Sequence, residues 1–259
     1  MKKFIVAGIQ RTGTTYIRTC IDSHPATRCI GEAFKVKNAR GKAYGGDLGY
    51  ATYLNESRMR WLRHYLARTG MIHEYLDFVY ALEGFEAVGF KLMYSHARRF
   101  PCIVPYMLKN NVSVIHVERK NVLKTLVSVI TARARGAHHS TKKVDVTQIE
   151  LDAGNLVDRL ARIERDGQRW QEVFEGKVPY VKVTYEDFVA DRDGQSAKVQ
   201  EFLGLEPHTL TSELRKLNPD DLSKIITNFD HVAEVLAGSP FEWCLGDRHA
   251  PGAKATASA

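Results

Sequence analysis

Residues 8–15 form a glycine-bounded polar loop whose residue types suit the binding of a phosphate group. The loop reads G-x-x-x-x-G-T-T. The nucleoside-triphosphate loop G-x-x-x-x-G-K-[ST] has the same glycine spacing and final hydroxyl, but its lysine, which contacts the β- and γ-phosphates, is replaced here by Thr14. The loop therefore predicts a site for a phosphate that carries no γ-phosphate. Arg11, inside the loop, supplies a positive charge from a different position.

A strand before this loop and a helix after it are predicted to position it. Residues 3–8 form a short apolar run of the kind found in buried parallel strands. After the loop, Ile17, Cys20 and Ile21 lie at i, i+3 and i+4, which places them on one face of a helix. A strand, a glycine loop and a helix in this order direct backbone N–H groups and a helix N-terminus at an anion.

The sequence Arg-Thr-Gly-Thr-Thr behind an N-terminal strand resembles the 5′-phosphosulfate loop of sulfotransferases that use 3′-phosphoadenosine 5′-phosphosulfate (PAPS). The resemblance implies PAPS as the cosubstrate, adenosine 3′,5′-bisphosphate as its product, and no metal. It also implies a set of residues that bind the 5′-phosphosulfate: Arg11, Thr12, Gly13, Thr14 and Thr15. The alternative interpretation of the same residues is an ordinary glycine turn between a strand and a helix.

Glu32 is a candidate active-site carboxylate because it follows a predicted short strand, Thr27–Ile30. In α/β sheets, ligands bind outside the carboxyl ends of the strands. Most loop glutamates are simply solvated, and this remains the alternative. The resemblance to carbohydrate sulfotransferases, which place a glutamate at this distance after the phosphosulfate loop, implies that Glu32 is the catalytic base.

Lys91 and His96 lie in and after the next predicted strand, which begins at Ala87. An unpaired ammonium inside an apolar strand costs several kcal/mol, so Lys91 must meet an anion or reach the edge of the sheet. Many sulfotransferases have a lysine and then a histidine here, two residues apart in the cytosolic branch but five apart in this chain. The resemblance therefore favours Lys91 as a catalytic residue and leaves His96 as the alternative base or a surface histidine.

Arg119 and Ser128 form the second match to the same family. Arg119 ends a β-branched strand, Val112–Arg119, and Ser128 lies nine residues later in a predicted helix. The resemblance implies that both residues bind the 3′-phosphate, for which a guanidinium offers a bidentate fork. The alternatives are a surface ion pair for Arg119 and a core position for Ser128.

Length and composition predict one domain, residues 1–248, followed by a disordered tail, residues 249–259. Alternating strands and helices indicate an α/β fold, a P-loop-like three-layer sandwich with a central parallel sheet flanked by helices. The chain contains no apolar run long enough to span a membrane and no signal peptide, so we expect a cytoplasmic location. The net charge of +7 suits an anionic cofactor, and no basic stripe with interleaved aromatic residues suggests nucleic acid.

The acceptor is expected to bind near two segments between the second and third strands. The segment Lys35–Asn55 looks like a long loop or lid, and Ser57–Arg68 looks like an amphipathic basic helix. The chain lacks the late Arg-Lys-Gly loop of the cytosolic branch, so it resembles more closely the bacterial carbohydrate enzymes that act on nodulation factors or trehalose. Homodimers are frequent among such enzymes.

Three functions remain open from the sequence. The first is transfer of a sulfuryl group from PAPS to a hydroxyl of a carbohydrate or glycoconjugate, with Arg11 and Lys91 neutralising the leaving phosphate. The second is a nucleotide kinase with a degenerate loop, which would hydrolyse ATP in the presence of Mg²⁺. The third is a non-enzymatic protein that binds nucleotides or an anionic polymer, in which case the binding would depend on salt.

Overall fold

The computed structural model describes residues 1–35, 48–135, 147–214, 218–219 and 221–246. Its contacts divide the chain into two compact units. The first contains residues 1–119 and 169–212, and the second contains residues 120–168 and 213–259. That residues 1–248 form one domain stays a prediction, and the predicted tail, residues 249–259, lies outside the described residues.

The first unit is built on a five-stranded sheet in which all neighbouring strands are parallel. The strand order is β2-β3-β1-β4-β5. In chain order the strands are β1 (Lys2–Gly8), β2 (Thr27–Glu32), β3 (Ala87–Met93), β4 (Ser113–Glu118) and β5 (Tyr180–Thr184). Strand β1 is central: the chain adds β2 and β3 on one side of it and then β4 and β5 on the other. In α/β folds, ligands bind at the carboxyl ends of the strands where the strand order changes sides in this way.

Helices lie between the strands of the first unit along the chain and continue through the second unit. In chain order they are α1 (Thr14–Asp22), α2 (Tyr50–Asn55), α3 (Arg58–Leu66), α4 (Arg68–Tyr80), α5 (Tyr94–Arg99), α6 (Ile103–Lys109), α7 (Val122–Arg135), α8 (Leu156–Phe174), α9 (Tyr185–Ala190), α10 (Arg192–Leu203) and α11 (Phe229–Leu236). Within the described part of the chain, none of these helices is long and apolar enough to cross a membrane.

Two apolar clusters lie on the two faces of the sheet, which makes the first unit a three-layer structure. Successive residues of a strand point to opposite faces, and β1 follows this rule. Phe4 and Val6 join a cluster with residues of α1 and α10. Ile5 and Ala7 join a second cluster with residues of α4 and α6. The predicted α/β sandwich with a parallel sheet is confirmed.

The second unit has its own apolar core. Its buried residues come from α7, α8, α11 and the segments around them, and include Leu123, Leu156, Val232 and Leu236. A single parallel β-bridge joins Ile149 to Ile226. This core is separate from the two clusters of the sheet.

One sequence expectation for the connections was wrong. Lys35–Asn55 was expected to be one long loop, but its last six residues form α2. Four of them are buried, and three of these, Tyr50, Tyr53 and Leu54, lie at i, i+3 and i+4. A helical apolar face therefore exists, although polar residues surround it in the sequence. Residues 36–47 of the same segment lie outside the described residues.

Candidate active site

The loop between β1 and α1 is closed tightly around its glycines. A Cβ atom at Gly8 would lie 2.6 Å from the Thr14 methyl group and 2.7 Å from the carbonyl oxygen of Val117. Inside the loop, the Thr12 hydroxyl donates a hydrogen bond of 2.9 Å to the carbonyl oxygen of Ile9. A side chain at the first glycine would therefore push the loop away from the sheet.

Two independent structural features require glycine at position 13. Its φ of +88° lies in the left-handed region, where other residues are strained. A Cβ atom at this position would also approach the Tyr185 ring to 2.3 Å. Arg11 has a positive φ as well, at 68°. Unusual backbone conformations of this kind gather at ligand-binding loops.

The N-terminus of α1 is suited to bind an anion. No side chain caps the helix, and its first turn contains no acidic residue. The first N–H groups of a helix have no partner within it, and the helix dipole places partial positive charge there. The loop and this helix end together fit a phosphate group, as the sequence predicts.

Lys91 meets an anion, as its position in an apolar strand required. It is 4% exposed on β3, between β1 and β2. Its ammonium donates to the Glu32 carboxylate at 3.0 Å and to the Thr15 hydroxyl at 2.7 Å. Thr15 lies in the first turn of α1, within the motif of residues 8–15, and Glu32 belongs to β2, so this one side chain connects the predicted phosphate site to the predicted base.

The pairing of Lys91 with Glu32 depends on an irregularity of β2. Both residues lie opposite each other on neighbouring strands, but the register shifts between Ile30 and Glu32, so that Gly31 has no partner in the ladder. A bulge of this kind redirects the side chain that comes after it. Glu32 is thereby the last residue of β2, at the carboxyl edge of the sheet.

The charges around Glu32 keep its carboxylate ionised. Burial raises its pKa, but the charges of Lys91 and Lys35 and the hydrogen bond from Lys91 together bring the pKa below the ordinary value. Lys35 lies 3.5 Å from the second carboxylate oxygen. For Lys91, burial lowers the pKa more than Glu32 raises it.

His96 lies close enough to the Glu32–Lys91 ion pair for both charges to affect its pKa. The charges of both Glu32 and Lys91 act on it, and burial lowers its pKa to about 4, so the imidazole is neutral at pH 7. Its Nδ1 atom is buried and has no hydrogen-bond partner among the described residues. The sequence placed His96 at the exit of a strand, and the structure places it within α5.

Arg119 comes directly after β4 and lies beside the first residues of α9. Its side chain is 11% exposed, and Nε lies 3.7 Å from a carboxylate oxygen of Glu186. The guanidinium lies 5.2 Å from the ring centroid of Tyr185. The ring that contacts Gly13 therefore also contacts Arg119, so one aromatic side chain connects the loop to this arginine.

Ser128 belongs to the second unit, whereas Arg119 is the last residue of the first segment of the first unit. It is 7% exposed and lies in the middle of α7. Its carbonyl oxygen accepts a hydrogen bond of 3.4 Å from the Thr131 hydroxyl. The joint action of Ser128 and Arg119 on one phosphate stays a prediction. Across the described ranges, no group of three His, Cys, Asp or Glu side chains could hold a metal ion.

The sequence missed one contributor to the site. Tyr185 and Glu186 follow β5 and contact the loop and Arg119, and no sequence pattern assigned either residue to the site. No local signal marks these residues, because the loop is more than 170 positions earlier in the sequence. Their position directly after the carboxyl end of β5 is the only indication, and it depends on the parallel sheet.

Comparison with known proteins identifies the family. A family model described as the sulfotransferase family matches residues 4–209. Among solved structures, the crystal structure of a sulfotransferase from Alicyclobacillus acidocaldarius aligns over 95% of each chain, with 14% sequence identity and a TM-score of 0.47. A search of curated proteins found no match. Since the family model spans the loop, nearly the whole sheet and most of the chain, this protein belongs to the sulfotransferase family.

Proposed function

We propose that this protein transfers a sulfuryl group from PAPS to a hydroxyl of a carbohydrate or glycoconjugate. The observation that supports this most directly is the position of Lys91, whose ammonium bonds both Thr15 of the phosphate loop and Glu32. A sulfuryl transfer needs a cation beside the leaving phosphate and a base beside the attacking hydroxyl, and in this proposal Lys91 would lie beside both.

The residues of the loop fit the donor. The backbone N–H groups of residues 12–15 and the side chain of Arg11 would hold the 5′-phosphosulfate, at a helix end without capping side chains. Arg119 and Ser128 would hold the 3′-phosphate, which distinguishes PAPS from ordinary adenylates. The donor supplies the sulfuryl group and leaves as adenosine 3′,5′-bisphosphate. The proposal includes no metal.

Glu32 is the proposed general base. Its lowered pKa keeps it ionised at neutral pH, so it can accept the proton of the acceptor hydroxyl as that oxygen forms its bond to sulfur. The bond between sulfur and the phosphate oxygen breaks at the same time, and the electron pair remains on the phosphate. His96, neutral and with a buried unpaired Nδ1, is the alternative base.

Proton transfer to Glu32 would also change the charge balance at Lys91. A protonated Glu32 no longer neutralises the ammonium 3.0 Å away. The charge of Lys91 then acts on the leaving phosphate, together with that of Arg11, as negative charge develops there. Positioning and electrostatics would supply most of the catalysis, as in phosphoryl transfer.

The acceptor class is proposed from the resemblance to bacterial enzymes that act on nodulation factors or trehalose. The Lys35 ammonium lies 3.5 Å from the Glu32 carboxylate, so the segment that begins there starts at the proposed base. This supports the assignment of Lys35–Asn55 to the acceptor side.

A sulfate-transfer assay with radiolabelled PAPS and a panel of sugar and glycolipid acceptors tests the proposal. Glu32→Gln is expected to lower turnover by about two to four powers of ten, because the amide cannot take the proton. Glu175→Gln is the matched control and should leave turnover unchanged, since Glu175 is exposed directly after α8. Normal turnover in Glu32→Gln, with a large loss in His96→Gln, would move the base to His96.

A different result would point to another class of function. Mg²⁺-dependent hydrolysis of ATP, without transfer from PAPS, would support the nucleotide kinase. Salt-dependent binding of RNA, without affinity for adenosine 3′,5′-bisphosphate, would support the non-enzymatic binding protein.

A further inference from the structure

Helix α3 presents its apolar side chains to solvent. None of its nine residues is buried. Four large apolar side chains on this one short helix are at least half exposed: Met59 (61%), Leu62 (50%), Tyr65 (73%) and Leu66 (77%). A surface helix normally turns such residues toward the core and its charged residues toward water. The amphipathic helix expected from the sequence therefore exists, but its apolar face is on the outside.

Polar side chains secure the inner face of α3. His64 Nδ1 lies 2.8 Å from the hydroxyl of buried Tyr50. Arg60 donates a hydrogen bond of 3.0 Å to the carbonyl oxygen of Tyr53, and its guanidinium lies 3.8 Å from the centroid of that ring. Trp61 packs against the apolar cluster of the sheet. Because these contacts fix the rotation of α3 about its axis, the fold itself holds the apolar face outward.

Exposed arginines lie on α3 and near it. Arg58, Arg68 and Arg99 are all exposed. Burial lowers the pKa of His64, and the charges of Arg68 and Arg99 lower it further, which places both guanidiniums near α3. The other two arginines of the helix pair with carboxylates, Arg60 with Glu56 and Arg63 with Glu74. Helix α3 and its surroundings thus have an excess of positive charge.

We propose that α3 docks this protein on an anionic lipid bilayer. Met59, Leu62, Tyr65 and Leu66 would enter the boundary between headgroups and acyl chains, as the apolar faces of interfacial helices do. The exposed arginines would remain at the level of the headgroups, where each gains from the negative surface potential. This binding goes beyond the proposed sulfuryl transfer and does not require it.

The charges and the size of the face favour a bilayer over a second copy of the chain. A twofold interface through this face would place the excess positive charge around α3 of one copy near that of the other, and like charges across an interface are unfavourable. A stable protein interface also buries roughly 800 Å² on each partner, which four side chains do not supply by themselves. A bilayer needs only a few inserted side chains and positive charge around them.

Co-sedimentation of the full chain with lipid vesicles tests the proposal. The wild-type protein is expected to bind vesicles of equal parts phosphatidylcholine and phosphatidylglycerol, and to bind pure phosphatidylcholine at least roughly tenfold more weakly. Leu62→Asp should weaken binding to the mixed vesicles by at least roughly tenfold, because it removes inserted apolar surface and adds a repelled charge. Raising the salt concentration should weaken wild-type binding as well.

Val189→Asp provides the matched control. Val189 is 51% exposed on α9. The variant therefore replaces another exposed apolar side chain with a carboxylate, away from α3. It should change vesicle binding less than twofold, by contrast with the roughly tenfold loss expected for Leu62→Asp. Leu66→Asp is a second variant of the same face, and urea unfolding of each variant verifies the fold. The proposal is overturned if the wild-type protein does not bind anionic vesicles or if Leu62→Asp and Val189→Asp weaken binding equally. It is also overturned if Leu62→Asp converts a dimer to a monomer in sedimentation without any vesicle binding, a result that would assign the face to a second copy.

Discussion

Lys91 and Arg119 are both held in place by carboxylates of the protein itself. Lys91 lies 3.0 Å from Glu32, and Arg119 lies 3.7 Å from Glu186. Long cationic side chains lose conformational freedom when they bind an anion, and a fixed position reduces that loss. The two side chains are therefore oriented for a ligand by contacts within the first unit.

Arg119→Ala tests the proposed contact with the 3′-phosphate. Loss of a charged, bidentate hydrogen bond should weaken binding of adenosine 3′,5′-bisphosphate roughly 10- to 100-fold in calorimetry. Binding of AMP, which lacks the 3′-phosphate, should change much less. Arg28→Ala removes an exposed arginine of β2 and serves as the control. Equal losses for both nucleotides would show that Arg119 acts on the fold and not on the 3′-phosphate.

At the scale of elements, the loop between β1 and α1 depends on the start of α9, directly after β5. The ring of Tyr185, the first residue of α9, fills the space beside Gly13, where a Cβ atom would come within 2.3 Å. The loop conformation and the last strand of the sheet are thus coupled through one contact.

Gly13→Ala is expected to damage both stability and ligand binding. The left-handed backbone and the approach to Tyr185 should lower the free energy of unfolding by about 1–3 kcal/mol. Displacement of the loop should also weaken binding of the bisphosphate nucleotide in the same calorimetric assay. The double variant Gly13→Ala, Tyr185→Ala separates the two causes, since it relieves the contact and leaves the backbone strain. Gly204→Ala, at another positive φ of 71° but with open space around it, controls for strain alone.

The sequence predicts the elements of this site better than their contacts. The strand–loop–helix unit and Glu32 after the second strand are indicated by local patterns of apolar and glycine residues. The pairing of Glu32 with Lys91 also requires the strand order and the register shift at Gly31, which no local pattern specifies. The outward face of α3 could not be predicted either, because the periodicity shows that a helix is amphipathic but not which face the protein covers.

At the scale of the whole molecule, a buried histidine links the sheet to the pH dependence of stability. His116 of β4 is 1% exposed, and its two ring nitrogens contact the hydroxyls of Tyr94 and Tyr180. Burial lowers the pKa of His116 to about 4, although the nearby Glu118 carboxylate acts in the opposite direction. The folded protein therefore keeps this imidazole neutral.

Acid should destabilise the protein through His116. In the unfolded chain histidine takes up a proton near pH 6.5, so between pH 6.5 and pH 4 the unfolded state binds more protons and stability falls as pH falls. The loss from this one group is on the order of 3 kcal/mol. Urea unfolding from pH 7 to pH 4 should show a shallower dependence in His116→Gln than in the wild type. His231→Gln, at an exposed position, should leave the dependence unchanged, and an unaltered slope in His116→Gln would contradict the assignment.

The most direct test of the central claim is calorimetric titration of the wild-type protein with adenosine 3′,5′-bisphosphate, AMP and ATP. A site made of a lysine-free phosphate loop and a second arginine for the 3′-phosphate predicts that the bisphosphate binds at least roughly tenfold more tightly than AMP or ATP. Equal affinity for AMP and the bisphosphate, or tighter binding of ATP, would contradict the account.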